Sequence, residues 1–150
     1  WTIRPAAFAQ PPIPPNQSPE NSISKETQQQ LLQEYEAFAN ELADAARNAI
    51  LPYWRLPPSS LQTESKYESG RSLSQTISPV TAADRSAEAA MRTLIESRYP
   101  SHGIIGEEYG SVRTDADWVW VLDPIDGTKS FMTGKPLFGT LIGVLYKGIP

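Results

Sequence analysis

Cysteine is absent from this 150-residue chain, and histidine occurs once, at His102. Without cysteine there is no disulfide, no thiolate nucleophile and no thiolate zinc site. A lone histidine also excludes a histidine-rich metal centre. Long apolar runs are missing too, since none approaches the ~20 residues that a membrane-spanning helix needs. Neither sign of charge dominates: 13 Lys+Arg stand against 17 Asp+Glu, for a net charge of −4. Such a chain has no electrostatic reason to bind nucleic acid or an anionic membrane. Carboxylates, backbone groups and water are left to carry any chemistry. The 39% hydrophobic and 20% charged residues are those of a globular chain of one-domain length.

Proline, by contrast, is abundant. Fourteen are present, and Pro5, Pro11, Pro12, Pro14, Pro15 and Pro19 crowd the first segment. Residues 1–23 have neither a helical nor a strand period and read as an extended, proline-rich disordered arm. No acidic residue precedes Glu20, which fits the remnant of an organelle transit peptide, although arginine and serine are sparse. The start at Trp1 rather than methionine leads to the expectation that something upstream is missing.

From Ser24 onward the pattern is helical. Leu31, Tyr35, Phe38, Leu42, Ala45 and Ala49 form a stripe at three- and four-residue steps. Ser24 is a suitable N-cap, and Pro52 should stop the helix near Leu51. Glu34, Glu36 and Glu41 belong to its solvated side. Residues 52–75 show little pattern beyond a turn at Pro57-Pro58-Ser59-Ser60 and the option of a hairpin at Ser69-Gly70. A second helix should begin after Ser78-Pro79-Val80-Thr81, with Ala87, Met91, Leu94, Ile95 and Arg98 facing inward. Thr81 and Asp84 have the spacing of a capping box. Asp84 has a second reading, at the periphery of a site; the capping role is preferred.

The stretch Trp118-Val119-Trp120-Val121-Leu122 has the apolar, aromatic and β-branched character of a buried strand. It breaks into Asp123-Pro124-Ile125-Asp126-Gly127-Thr128, and because Pro124 cannot donate to a ladder, the strand should end at about Asp123. Two carboxylates three residues apart on a rigid strand end suit Mg²⁺, a hard cation that takes few protein oxygens and keeps several waters. The backbone N–H groups of Gly127, Thr128 and Lys129 are placed to cradle a phosphate. An ordinary strand-to-turn junction is the alternative, since Asp, Pro and Gly are common turn residues. Upstream, Gly103-Ile104-Ile105-Gly106-Glu107-Glu108 is another short apolar strand ending in carboxylates. Two such ends at one sheet edge would make a site, where ligands of open α/β sheets collect. Residues 111–117 read as a polar connection, and Thr140-Leu141-Ile142-Gly143-Val144-Leu145-Tyr146 as a further strand.

These two stretches together resemble the Mg²⁺-dependent inositol monophosphatase-like superfamily, whose members carry G-E-E followed by D-P-[IL]-D-G-T. The sequence is most similar to the plant-type histidinol-phosphate phosphatase branch. That likeness rests on Pro100-Ser101-His102 with Gly106-Glu107-Glu108, on Trp120 through Phe131, and on Thr133-Gly134-Lys135-Pro136-Leu137-Phe138-Gly139-Thr140-Leu141-Ile142. Inositol phosphatases themselves typically have T-N-F where this chain has Thr128-Lys129-Ser130-Phe131. The resemblance implies a layered αβαβα phosphatase fold, of class α/β, with residues 24–150 forming its N-terminal part. It implies Mg²⁺ held by Glu107, Asp123, Asp126 and the carbonyl of Ile125. It also implies an attacking water positioned by Glu107 and Thr128, and phosphate bound by Glu107 and the amides of Gly127 and Thr128. Glu108 is then a supporting carboxylate, and Lys129 either a charge partner of the phosphate or a solvent-facing lysine.

Two departures accompany the resemblance. The family's K-x-D-x-S-P-V-T has a lysine and an acidic residue where this chain has Ser74 and Thr76. The W-D motif that supplies a further metal ligand is missing, since Asp117-Trp118 has the reverse order. The expectation is a Mg²⁺-dependent phosphomonoesterase acting on histidinol phosphate in histidine biosynthesis, completed by a second half. Its partner would be a small phosphate monoester, with a homodimer as the usual assembly and a plastid or the cytoplasm as its location. The alternatives are an inositol monophosphatase-type enzyme and a truncated, non-catalytic structural or assembly subunit.

Overall fold

The computed structural model describes residues 24–67 and 77–150. The proline-rich arm, the Ser69-Gly70 hairpin option, Ser74 and Thr76 lie outside them. Helix α1 spans Lys25–Ile50, and the Ser24 side chain accepts a hydrogen bond from the Thr27 N–H at 3.2 Å. Pro52 sits in a single 3₁₀ turn, Leu51–Tyr53, that closes the helix as expected. Strands β1 (Glu64–Tyr67) and β2 (Ile77–Val80) pair antiparallel. Helix α2 (Ala82–Arg98) opens on a complete capping box. The Thr81 hydroxyl accepts from the Ala83 N–H, while an Asp84 carboxylate oxygen accepts from the Thr81 N–H at 2.8 Å. Strands β3 (Gly103–Gly106), β4 (Gly110–Val112) and β5 (Trp118–Asp126) follow, then helix α3 (Thr128–Met132) and strand β6 (Gly139–Tyr146).

The main sheet has the order β4-β3-β5-β6, with β3 parallel to β5 and both outer strands antiparallel to their neighbours. Helices α1 and α2 pack on each other, α1 against β6 and α2 against β5. Between the layers lie Phe38, Leu42, Ala46 and Ile50 of α1, Ala87, Met91 and Ile95 of α2, and Ile104, Trp120 and Leu122 of the sheet, all buried. Each large apolar side chain buried here contributes about 1.5–3 kcal/mol. That burial makes the central strands rigid enough to hold chemistry at their ends. No helix of the described residues is long and apolar enough to cross a membrane.

The structure corrects the sequence reading at four places. The α1 stripe reaches its buried end through Ala46 and Ile50, with Ala45 only half-buried. A 3.6-residue period drifts off a strict three-four alternation over a helix this long. Arg98 is not an inward residue of α2; its guanidinium makes two bonds with the Glu41 carboxylate of α1, at 2.7 and 2.8 Å. The 111–117 connection begins inside β4, which pairs with β3. Finally, β5 does not stop at Asp123 but continues to Asp126, carrying Pro124 within it.

A buried aromatic cluster joins α1, the end of α2 and β5 around His102. Its ring stacks on Tyr99 at 4.6 Å, and its Nδ1 accepts a hydrogen bond from the Trp120 indole N–H at 3.1 Å. That bond assigns the neutral tautomer with the proton on Nε2. Burial holds the His102 pKa below the usual 6.5, with the charge of Glu34 opposing it. The unfolded chain therefore takes up a proton near 6.5 that the folded protein still refuses. Stability contributed by the neutral ring is full above that pH and is lost as pH falls through the folded pKa. The urea midpoint is expected to drop between pH 7 and pH 5, and the drop to shrink in His102→Gln, whose amide does not titrate. An undiminished drop in that variant would assign the pH dependence to other groups.

Candidate active site

Parallel pairing of β3 with β5 places Gly106 opposite Leu122. The Glu107 N–H continues the ladder to the Leu122 carbonyl at 3.3 Å, so Glu107 emerges beside Asp123. The two acidic strand ends thus meet at one sheet edge. Between Asp123 and Asp126 the pairing of β5 with β6 shifts register, a bulge that accommodates Pro124. A proline is tolerated there because the slipped register does not call on its missing N–H. The Pro124 carbonyl accepts from the Thr140 hydroxyl at 2.9 Å. This bulge turns Asp126 towards the same opening as Asp123.

A cleft of about 220 Å³ results, lined by Glu107, Asp123, Ile125, Asp126, Gly127, Thr128 and Lys129. All six residues assigned to the site from sequence line it, together with Lys129. Asp123 is its most perturbed group. Burial pushes its carboxyl above the usual aspartate range, the charges of Asp126 and Asp84 push the same way, and a hydrogen bond with Glu107 pulls it back. Its Oδ1 is buried and has no hydrogen-bond partner among the described residues.

Gly127 links strand and helix. Its φ of 87° lies in the left-handed region, open to glycine at little cost. From there α3 starts at Thr128, whose N–H, like that of Lys129, points out of the first helical turn without an intrahelical partner. Phe131 anchors this short helix, packing against Trp54 and Phe138 with ring centroids 5.5 and 5.1 Å away. The Thr128 hydroxyl faces two acceptors, the Ile125 carbonyl at 3.0 Å and Asp84 Oδ1 at 3.5 Å.

Asp84 therefore caps its helix, the role preferred for it, and also contacts a residue that lines the cleft. Oδ2 completes the α2 cap with Thr81, and Oδ1 is directed at the cleft through Thr128. The cap was readable from local spacing; the link to Thr128, 44 residues away, was not. Glu108 does not line the cleft, and its N–H donates to the Glu88 carboxylate at 2.6 Å. Glu88 carried no signal in the sequence beyond being an acidic residue in a helix, yet it is fully buried.

Among the described residues, no group of three or more Asp, Glu, His or Cys side chains is gathered closely enough to form a ready-made metal cage. Mg²⁺ does not require one, since it keeps several waters and takes one or two carboxylates. The orphaned Oδ1 of Asp123, the contact between the Asp123 and Glu107 carboxyls, and an all-oxygen donor set fit such a cation.

Fold and cleft define a layered α/β protein with carboxylates gathered at adjoining strand ends beside a helix start. The inositol monophosphatase family matches residues 31–150, and the chain belongs to that family. It is 46% identical over 135 residues to the chloroplastic bifunctional phosphatase IMPL2 of Arabidopsis thaliana, covering 86% of this chain and 36% of that protein. It is 42% identical over 74 residues to the histidinol-phosphatase of Mycobacterium tuberculosis, covering 49% of this chain and 28% of that protein. Among solved structures, an inositol monophosphatase from Zymomonas mobilis superposes with a TM-score of 0.56 at 40% identity, covering 77% of this chain and 40% of that one. The chain thus spans well under half the length of these relatives.

Proposed function

We propose that this chain carries the metal- and phosphate-binding part of a Mg²⁺-dependent phosphomonoesterase whose substrate is L-histidinol phosphate. The observation that carries the reading is the convergence of Glu107, Asp123 and Asp126 on one cleft, beside a Thr128 hydroxyl facing Asp84. Glu107, Asp123, Asp126 and the Ile125 carbonyl would hold the ion. Bound Mg²⁺ supplies Lewis-acid polarisation of a phosphoryl oxygen and makes water a stronger acid. The residues of the chain supply the rest. Thr128 accepts a hydrogen bond from the attacking water and passes its own proton towards Asp84, while Glu107 orients that water. The Gly127 and Thr128 amides stabilise the phosphoryl oxygens as charge builds on them. No side chain needs to become phosphorylated.

Histidinol phosphate is preferred over an inositol phosphate because relatives matched over 74 and 111 residues are named histidinol-phosphatases. The run Thr128-Lys129-Ser130-Phe131 in place of T-N-F favours the same branch. A homodimer and a plastid location complete the proposal, the latter supported by the chloroplastic relative. Release of inorganic phosphate from L-histidinol phosphate and from myo-inositol 1-phosphate tests it, with Mg²⁺ and with EDTA. The expected result is roughly tenfold or greater preference for histidinol phosphate, about 1.4 kcal/mol, abolished by EDTA and restored by Mg²⁺. Preference for the inositol ester would move the substrate assignment. No release from either would favour a non-catalytic subunit.

A further inference from the structure

Glu107 is the one proposed metal ligand in the cleft that does not come from the β5 bulge. It sits in the three-residue loop Glu107-Glu108-Tyr109, which joins β3 to β4 and is closed by the Gly106–Gly110 pair. Glu107 and Tyr109 are exposed at this sheet rim, yet a metal ligand must be held to within a fraction of an ångström.

The support comes from α2. Glu88 is fully buried, and its two carboxylate oxygens accept from the loop's backbone, Oε2 from the Glu108 N–H at 2.6 Å and Oε1 from the Tyr109 N–H at 3.1 Å. The Arg92 guanidinium donates to the same Oε1 at 2.7 Å, and also to the Gly110 carbonyl that closes the loop. The charge of Glu88 is thus compensated by one cation and two backbone dipoles, as a buried carboxylate requires. Gly106 completes the arrangement. A Cβ there would occupy the position of Glu88 Oε1 and crowd the Arg92 guanidinium as well. The glycine is the space through which the α2 carboxylate reaches the loop.

We infer that Glu88, seated through Gly106 and locked by Arg92, is a positioning residue that sets the Glu107 loop for metal binding. The inference rests on the reading of the cleft as a metal site. A purely structural Glu88 would affect folding stability alone; a positioning Glu88 changes metal affinity beyond its effect on stability. Outer-shell partners of this kind typically alter affinity 10–100-fold.

The test is calorimetric titration of Mn²⁺, standing in for Mg²⁺, into the metal-free full chain. Glu88→Gln replaces one of two acceptor oxygens with an N–H₂ facing donors, and should weaken Mn²⁺ binding about 10–100-fold. Gly106→Ala should do the same, and the double variant should be no weaker than the worse single one, because both dislodge one carboxylate. Met91→Ala, buried one turn further along α2, should lower the melting temperature and leave Mn²⁺ affinity within about twofold of wild type. Should Glu88→Gln fail to fold, Arg92→Gln leaves Glu88 in place but releases it, and a severalfold weakening is expected there. Unchanged affinity in the folded variants, with wild type binding Mn²⁺, overturns the positioning role alone. So does a loss in Met91→Ala as large as that in Glu88→Gln. A wild-type chain that binds no Mn²⁺ overturns the metal-site reading itself, and this inference with it.

Discussion

Asp126→Asn is expected to lower Mg²⁺-dependent phosphate release by at least about 100-fold, the upper end of what losing even an outer-shell partner costs. The folded state should hardly notice. Asp126 is exposed at the end of β5, so its carboxylate makes little contribution to packing, and surface substitutions usually change stability by no more than about 0.5 kcal/mol. Asp123→Asn should match this loss of activity but differ in stability. In the metal-free protein the Asp123 carboxyl is raised by burial and by the neighbouring Asp126 and Asp84 charges. A raised carboxyl binds its proton more tightly folded than unfolded, so its contribution is present at acid pH and is lost as pH rises through the folded pKa. A neutral amide escapes that loss and can donate to Glu107. Metal-free Asp123→Asn is therefore expected to melt above wild type at pH 7, with the gap closing towards pH 4. Thermal melts with EDTA and activity assays with Mg²⁺ check both halves. A lower melting temperature in Asp123→Asn would mean that Asp123 is a structural carboxylate and not one kept in a costly position for binding.

Gly127→Ala carries the second large effect, on stability and activity together. Its φ of 87° costs a residue with a side chain about 1–2 kcal/mol. The added Cβ would also lie 2.7 Å from the Leu137 carbonyl oxygen, and overpacking of this kind costs about 1–3 kcal/mol. Together these give a destabilisation of roughly 2–5 kcal/mol, measurable as a shift of the urea midpoint. Because α3 begins at the next residue, the same strain displaces the Thr128 hydroxyl from Asp84 and Ile125. Activity should therefore fall further than the loss of folded protein explains. A neutral outcome would show that the Leu137–Phe138 segment yields freely, and that the strand-to-helix turn is not fixed.

Much of this protein is written locally. Ser24 and Pro52 bound α1, since one supplies an acceptor for free N–H groups and the other removes a donor. Thr81 and Asp84 start α2 in the same way. The apolar runs ending in Glu107 and in Asp123 to Asp126 announced two strands with acidic ends, and the residues assigned to the site all line one cleft. What local chemistry does not encode is which distant segment each element meets. Parallel pairing of β3 with β5, which sets Glu107 beside Asp123, depends on helices packing above them. Pro124 should have ended β5, and stays inside it because a register shift against β6 removes the need for its N–H. Asp84 has two oxygens, and sequence spacing accounts for only the one that caps its own helix. The oxygen facing Thr128, and the Glu88 carboxylate reaching the loop past Gly106, exist only once α2 lies against the sheet. Hydrogen bonds across 20 to 44 residues are set by tertiary packing, and no periodicity within either segment foretells them.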